Sequence, residues 1–261
     1  MTRIALGIEY DGSAFNGWQS QPHAPSVQDA VEAALSRVAD HRVRVVCAGR
    51  TDTGVHATAQ VVHFDTHAVR ERHAWVLGGN ANLPDTVSIL WAREVADDFH
   101  ARFSARTRSY RYVILRRAAR PALLARRVSW VHKALDVAPM QAAARHLLGE
   151  HDFSAFRALA CQAKHPVRTI HRLELSEAGP FIHLDIEANA FLHHMVRNIA
   201  GTLMAVGSGE RSPDWVAEVL AARDRALAGI TAPPDGLYLV GVRYPQAFGL
   251  PGSGWLPAFQ A

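Results

Sequence analysis

Phe181-Ile182-His183-Leu184-Asp185-Ile186-Glu187-Ala188-Asn189 alternates apolar and polar side chains without a break. Successive residues of a strand point to opposite faces, so Ile182, Leu184, Ile186 and Ala188 line one face and His183, Asp185, Glu187 and Asn189 the other. The first face suits packing against helices; the second either borders a polar cleft or is simply solvated. Upstream, the pattern predicts strands at Arg108 to Arg116 and Thr169 to Leu175, with a helix around Val137 to Leu148 closed by Gly149. Downstream it predicts helices from about His193 to Val206 and from Pro213 to Ala222, then a last strand at Leu237 to Arg243.

The first half has the same order. Ile4, Leu6 and Ile8 alternate as in a strand, and Ser26-Val27-Gln28-Asp29 is a capping-box variant that opens a helix. Val27, Ala30, Val31, Ala34, Leu35 and Val38 then make one apolar stripe at helical spacing. Strands at Arg42 to Ala48 and Gln60 to Asp65, a weaker helix from Ala68 to Leu77 and a strand at Val87 to Glu94 complete β-α-β-β-α-β. That order is the split βαβ, ferredoxin-like unit also used by RNA-recognition sheets. The expectation is an α+β chain of two such units, residues 1–105 and 106–261, joined near Ala105. They would form an open, mostly antiparallel sheet with a central cleft and helices on one face. No internal sequence repeat accompanies the doubling, which rests on element order alone.

A chain of 261 residues with 49% apolar content can bury one large or two medium cores. It has no long uncharged apolar run, and Met1-Thr2-Arg3-Ile4 leads directly into strand-like sequence, so a cytoplasmic location is expected. The two cysteines, Cys47 and Cys161, lie far apart and are read as buried free thiols. The formal net charge is only +4, but its distribution is uneven. Between Phe99 and Leu135 there is no Asp or Glu, while Arg102, Arg106, Arg108, Arg111, Arg116, Arg117, Arg120, Arg126, Arg127 and Lys133 are present. Such a run attracts polyanions, and Tyr110 and Tyr112 within it offer faces on which bases can stack. The competing reading is a solvated basic face in a chain that prefers arginine to lysine.

Ala48-Gly49-Arg50-Thr51-Asp52-Thr53-Gly54-Val55-His56-Ala57 packs one acid between glycines and small polar residues, directly after an apolar run. Asp52 is the only carboxylate between Asp40 and Asp65, and glycines on either side let the backbone approach a ligand closely. Arg50 and loop amides would hold its charge. This is either a reaction loop or an Asx-turn in a hairpin. In the helix expected from His193, Arg197 lies at the edge of the apolar stripe. A partly buried arginine needs an anionic partner, which is Asp52 from the other half or, locally, Glu187 or Asp185. Tyr110 either stacks on a base or fills a core.

Fifteen histidines raise the question of a metal. Adjacent His193 and His194 diverge by about 100 degrees on a helix, and His56 and His63 lack a nearby acidic cluster, so no metal is expected. Neither a G-x-G-x-x-G turn nor a GK[ST] segment occurs, which argues against NAD and ATP.

The Ala48 to Ala57 segment resembles the active-site motif of the tRNA pseudouridine synthase A family. The resemblance extends through Tyr10-Asp11-Gly12, Gly17-Trp18-Gln19, Asn82-Leu83-Pro84, Phe99-His100-Ala101-Arg102-Phe103, Tyr110-Arg111-Tyr112, His151-Asp152-Phe153, Phe191 to Asn198 and Gly236-Leu237-Tyr238-Leu239. The stretch from Arg116 to Arg127 is the least family-like. The resemblance implies isomerisation of uridine to pseudouridine at positions 38, 39 and 40 of the tRNA anticodon stem-loop, by a homodimer without metal or cofactor. It implies Asp52 as the catalytic aspartate, acting at C6 of uracil, at C1′ of the ribose or through a glycal intermediate. It further implies that Arg197 pairs with Asp52, that Tyr110 stacks on the flipped uracil and assists proton removal from C5, that Leu237 packs beneath the base, and that Arg50 holds the nucleotide out of the stack. A non-catalytic RNA-binding protein and a small-molecule lyase or isomerase are the competing functions.

Overall fold

The computed structural model describes residues 1–252, 254–257 and 259. Its first half runs β1 (Thr2–Tyr10), α1 (Val27–Ala39), β2 (Val46–Cys47), β3 (His56–Thr66), α2 (Arg72–Asn80) and β4 (Val87–Val95). Its second runs β5 (Thr107–Arg116), β6 (Ser129–Val131), α3 (Val137–Ala144), β7 (Gly149–Asp152), β8 (Val167–Ala178), β9 (Phe181–Ala188), α4 (Met195–Gly207), α5 (Trp215–Ala222) and β10 (Leu237–Arg243). The class is α+β with mostly antiparallel pairing. Contacts divide the chain into two compact units, Met1–Thr107 with Tyr238–Leu256, and Arg108–Leu237 with Pro257–Ala261. The last strand, expected within the second half, pairs in parallel with β3 of the first unit through Tyr238↔His56 and Leu239↔Ala57.

In the first unit β1 lies between β3 and β4, antiparallel to both. Ile4, Leu6 and Ile8 are buried as their alternation requires. Ser26 caps α1 by accepting the Asp29 N–H at 3.1 Å, so that helix begins where the capping box places it. The strand expected at Arg42 to Ala48 shortens to Val46–Cys47. The reason is local: side chains of α1 take the strand's donors, Ser36 Oγ accepting the Val43 N–H at 2.9 Å and Glu32 Oε1 the Val45 N–H at 3.1 Å. A second apolar layer gathers Ala5, Ala48, Val61, Phe99 and Ala101 with Trp91, Tyr244 and Phe248.

In the second unit the order is β5-β9-β8-β7, antiparallel throughout, with β6 parallel on β5. The short β6 and β7 were not legible as strands. Ile182, Leu184, Ile186 and Ala188 are buried, as the opening alternation predicts. On the opposite face the polar side chains engage their neighbours across the strands. Arg111 forks onto Asp185 with two bonds of 2.7 Å, and Ser109 donates to Glu187 at 2.9 Å. The helix expected from His193 starts at Met195, because His194 has φ 61° and serves as its N-cap.

Candidate active site

The loop carrying Asp52 rests on a strip of backbone from Gly12 to Trp18. Trp18 N–H donates to the Thr51 carbonyl at 3.0 Å, and Gly54 N–H to the Phe15 carbonyl at 3.4 Å. Gly17 has φ +88°, and a Cβ there would lie 2.7 Å from the Thr51 oxygen, so only glycine permits this approach. The strip is held in turn by the first turn of α1, where Val27 and Gln28 donate to the carbonyls of Gly17 and Trp18. Asp52 to Val55 forms a turn closed by Val55 N–H to the Asp52 carbonyl at 3.1 Å, with Gly54 at φ +79°. Positive φ at that third position is what a type II turn demands. The result is a half-buried Asp52 beside a buried Thr51 and an exposed Arg50.

Behind the loop is a polar clamp that sequence reasoning missed. Gln60, on β3, is fully buried; its amide nitrogen donates to the Gly49 carbonyl at 2.6 Å and its oxygen accepts the Gly49 N–H at 3.4 Å. Tyr10 and Thr51 join their hydroxyls at 2.8 Å, and the Gln60 nitrogen also reaches the Tyr10 oxygen at 3.4 Å. The loop is therefore fastened on both sides of Arg50. The available signal was a glutamine among the apolar residues of β3, where an unpaired amide would be costly.

Of the four histidines weighed earlier as metal ligands, His56 and His63 accept backbone N–H groups. His56 Nδ1 takes the Gly12 N–H at 3.1 Å and lies 3.2 Å from Asp11 Oδ1, while its ring stacks on Tyr238 at 4.6 Å. One nitrogen cannot accept from Gly12 and donate to Asp11 at once, so the two contacts are alternatives at the same atom. Contact with His56, and with the Ser13 N–H and hydroxyl, holds the Asp11 carboxyl well below the usual range. His63 Nδ1 takes the Ala101 N–H at 3.1 Å.

Asp52 and Arg50 belong to the first unit; Tyr110, Arg197 and Leu237 belong to the second. Tyr110 is buried near the start of β5, edge-on to Phe191 at 5.0 Å. Arg197, in the first turn of α4, is half-buried; its Nε donates to the Ala232 carbonyl at 2.8 Å and its own carbonyl accepts the Ala232 N–H at 3.1 Å. That reciprocal pair fixes the side chain to the 225–232 segment. The segment itself is tied down because Asn198 accepts from Thr231 and Arg225 at 2.7 and 3.1 Å, and because a Cβ at Gly201 would meet the Ile230 carbonyl at 1.8 Å. Asp185, one local partner considered for Arg197, is the acid that Arg111 holds. Leu237 is buried at the first residue of β10.

Two expectations need correction. Cys47 is buried and its thiol is pushed up to about 12 by desolvation, but Cys161 is only half-buried. Burial raises the Cys161 thiol, yet the Ala163 and His193 N–H groups and the Arg157 guanidinium outweigh it and leave the thiol below its ordinary value. The basic window is also smaller than its sequence suggests. Arg111 is buried against Asp185, Arg116 lies 2.9 Å from Glu177, and Lys133 lies 2.8 Å from Glu210. Arg102, Arg106, Arg117, Arg120, Arg126 and Arg127 remain exposed.

Asp52 thus stands as a single acid on a clamped, glycine-framed loop, which makes the loop a candidate reaction site. Residues 7–104 and 143–245 match the tRNA pseudouridine synthase family. A tRNA pseudouridine synthase A of Nitrosococcus oceani is 62% identical over 249 residues, spanning 95% of this chain and 96% of its own length. Its namesake in Alcanivorax borkumensis is 59% identical over 262 residues, spanning 98% of each chain. That of Bordetella avium is 55% identical over 267 residues and spans both chains fully. The chain thus belongs to the tRNA pseudouridine synthase family and isomerises uridine to pseudouridine in tRNA.

Proposed function

We propose that this isomerisation takes place at positions 38, 39 and 40 of the anticodon stem-loop, with Asp52 as the catalytic aspartate. The observation that supports the reading best is the half-buried Asp52 on a loop whose flanking residues, Gly49 and Thr51, are each fastened by a buried side chain. Isomerisation breaks the bond from C1′ to N1, turns the uracil and forms a bond from C1′ to C5. The C5 proton is lost and N1 gains one. Each step needs a base extruded from the helical stack, and a carboxylate on an accessible, rigid loop is suited to attack it.

Arg197 pairs with Asp52 in this reading, orienting the carboxylate. Its capacity to do so is supported by the Ala232 bond, which immobilises the guanidinium at Nε. Tyr110 stacks on the uracil and assists departure of the C5 proton, Leu237 packs beneath the base, and Arg50, exposed beside Asp52, holds the nucleotide out of the stack. The active species is a cytoplasmic homodimer that needs neither metal nor cofactor. Incubating the purified chain with a tRNA bearing uridine at all three positions, then mapping pseudouridine by mass spectrometry, tests the target. Product at 38, 39 and 40 is expected, and product confined to another arm would overturn the assignment. Sedimentation at the mass of two chains checks the dimer.

A further inference from the structure

Between β4 and β5 the chain makes a turn, Phe99 to Ser104, that is anchored inward at Phe99 and Ala101 and lifts the ring of Phe103 outward just after them. Phe99 is fully buried, edge-on to His63 and packed on Tyr244 and Phe248 at 5.1 Å each. Ala101 is buried as well; its N–H goes to His63 and its carbonyl accepts the Tyr244 hydroxyl at 2.6 Å. Ser104 N–H donates to the His100 carbonyl at 2.9 Å, and His100 N–H to Ser104 Oγ at 3.0 Å. His100 Nδ1 accepts the N–H groups of Arg102 and Phe103 at 3.2 Å each. Every part of the turn is thus fixed. Phe103 is nevertheless 75% exposed, stacked on His100 at 4.4 Å and 29°, with the Arg102 guanidinium 5.5 Å from its ring centre.

A large apolar ring held in solvent by this many hydrogen bonds contributes little to a core. Its neighbourhood indicates what it meets. Ala101 shares a packed cluster with Ala48, at the entry to the Asp52 loop, and the guanidiniums of Arg50 and Arg102 both act on Cys47. The turn that carries the ring therefore packs against the entry to the Asp52 loop, and Arg102 is the cation beside the ring. A stacking face with an adjacent guanidinium is how proteins hold single-stranded nucleotides without reading their sequence. A protein partner would call for a wider apolar area than one ring.

We propose that Phe103, seated on His100 and flanked by Arg102, is a second nucleotide-binding site: a base of the tRNA other than the target uracil stacks on the ring while Arg102 contacts a phosphate. The proposal rests on the function given above and places a contact of the anticodon stem-loop outside the residues assigned there. The test uses the full chain and measures tRNA affinity over a range of salt. Phe103→Ala should weaken binding about 5- to 100-fold, the range that loss of one base-aromatic stack produces, and Phe103→Trp should restore it. Arg102→Ala should lower the slope of log Kd against log salt by about 1, as loss of one phosphate contact does. Val69→Ala, at a residue 91% exposed elsewhere on the unit, should change neither. Wild-type affinity in Phe103→Ala, with the unfolding midpoint unchanged, would overturn the proposal. If that variant instead lost self-association or binding to another protein, the surface would be reassigned and the proposal would likewise fall. A wild-type chain that modifies tRNA only outside the anticodon arm would sink the assigned target and not the stacking site, so the two failures are distinguishable.

Discussion

Replacing Gly17 by alanine should disable the Asp52 loop without touching the acid. The new Cβ would lie 2.7 Å from the Thr51 oxygen and 3.1 Å from the Asp52 carbonyl carbon, on a backbone with φ +88°. An L-residue in that conformation costs about 1–2 kcal/mol. Relieving the contact requires the Thr51–Asp52 backbone to retreat by roughly half an ångström, against the Trp18 to Thr51 hydrogen bond of 3.0 Å. Misplacement of a reacting group by about 1 Å costs on the order of 100-fold, so a fall of about 10- to 100-fold in single-turnover rate is expected at saturating tRNA. The assay is tritium release from tRNA labelled at uracil C5, with tRNA affinity measured in parallel and expected to hold within about threefold, since one loop moves and the rest of the RNA surface does not. Tyr10→Phe is the milder companion, removing only the hydroxyl bonded to Thr51 at 2.8 Å, and should cost about 1 kcal/mol of stability. A Gly17→Ala protein that folds and reacts at the wild-type rate would refute the idea that this strip positions the acid.

Asp185→Asn should destabilise the protein by about 3–5 kcal/mol in urea, because it strands the buried Arg111 guanidinium; Arg111→Met with Asp185→Leu should recover most of that loss. A small effect of the single variant would mean that Arg111 is adequately solvated. His63 is lowered to about 4, first by desolvation and then by His100 and Arg3. Between about pH 6.5 and 4 the unfolded chain therefore binds a proton that the folded chain refuses, and stability falls as pH drops through that window. His63→Gln keeps an acceptor for the Ala101 N–H but cannot titrate, so the difference in urea midpoint between pH 7 and pH 5 should shrink. The depressed carboxyls of Asp11 and Asp65 act lower, their contribution vanishing only below about pH 4.

Periodicity and capping chemistry made much of the fold legible. Ile4, Leu6 and Ile8, the Ser26 cap and the strand from Phe181 reported their own burial, because each signal lies within a few residues of its effect. Where tertiary hydrogen bonds compete, the reading failed. Glu32 and Ser36 take the donors that would have extended β2, and nothing near Arg42 announces them. Arg111 reads as one cation of a basic window, yet its acid stands 74 residues away on β9. The same limit applies at the site. Asp52, alone among glycines, was conspicuous, whereas Gly17 and Gln60 acquire meaning only once the chain passes beneath the loop and β3 runs behind it.

Asp52→Asn is the most direct measurement, since it keeps the shape of the side chain and removes only its charge and nucleophilicity. Incubated with tRNA tritiated at uracil C5, the variant should release no label above background while binding the same tRNA in a gel shift as tightly as the unmodified chain. Label released at the wild-type rate would show that another group performs the chemistry, and the function assigned to the loop would have to be abandoned.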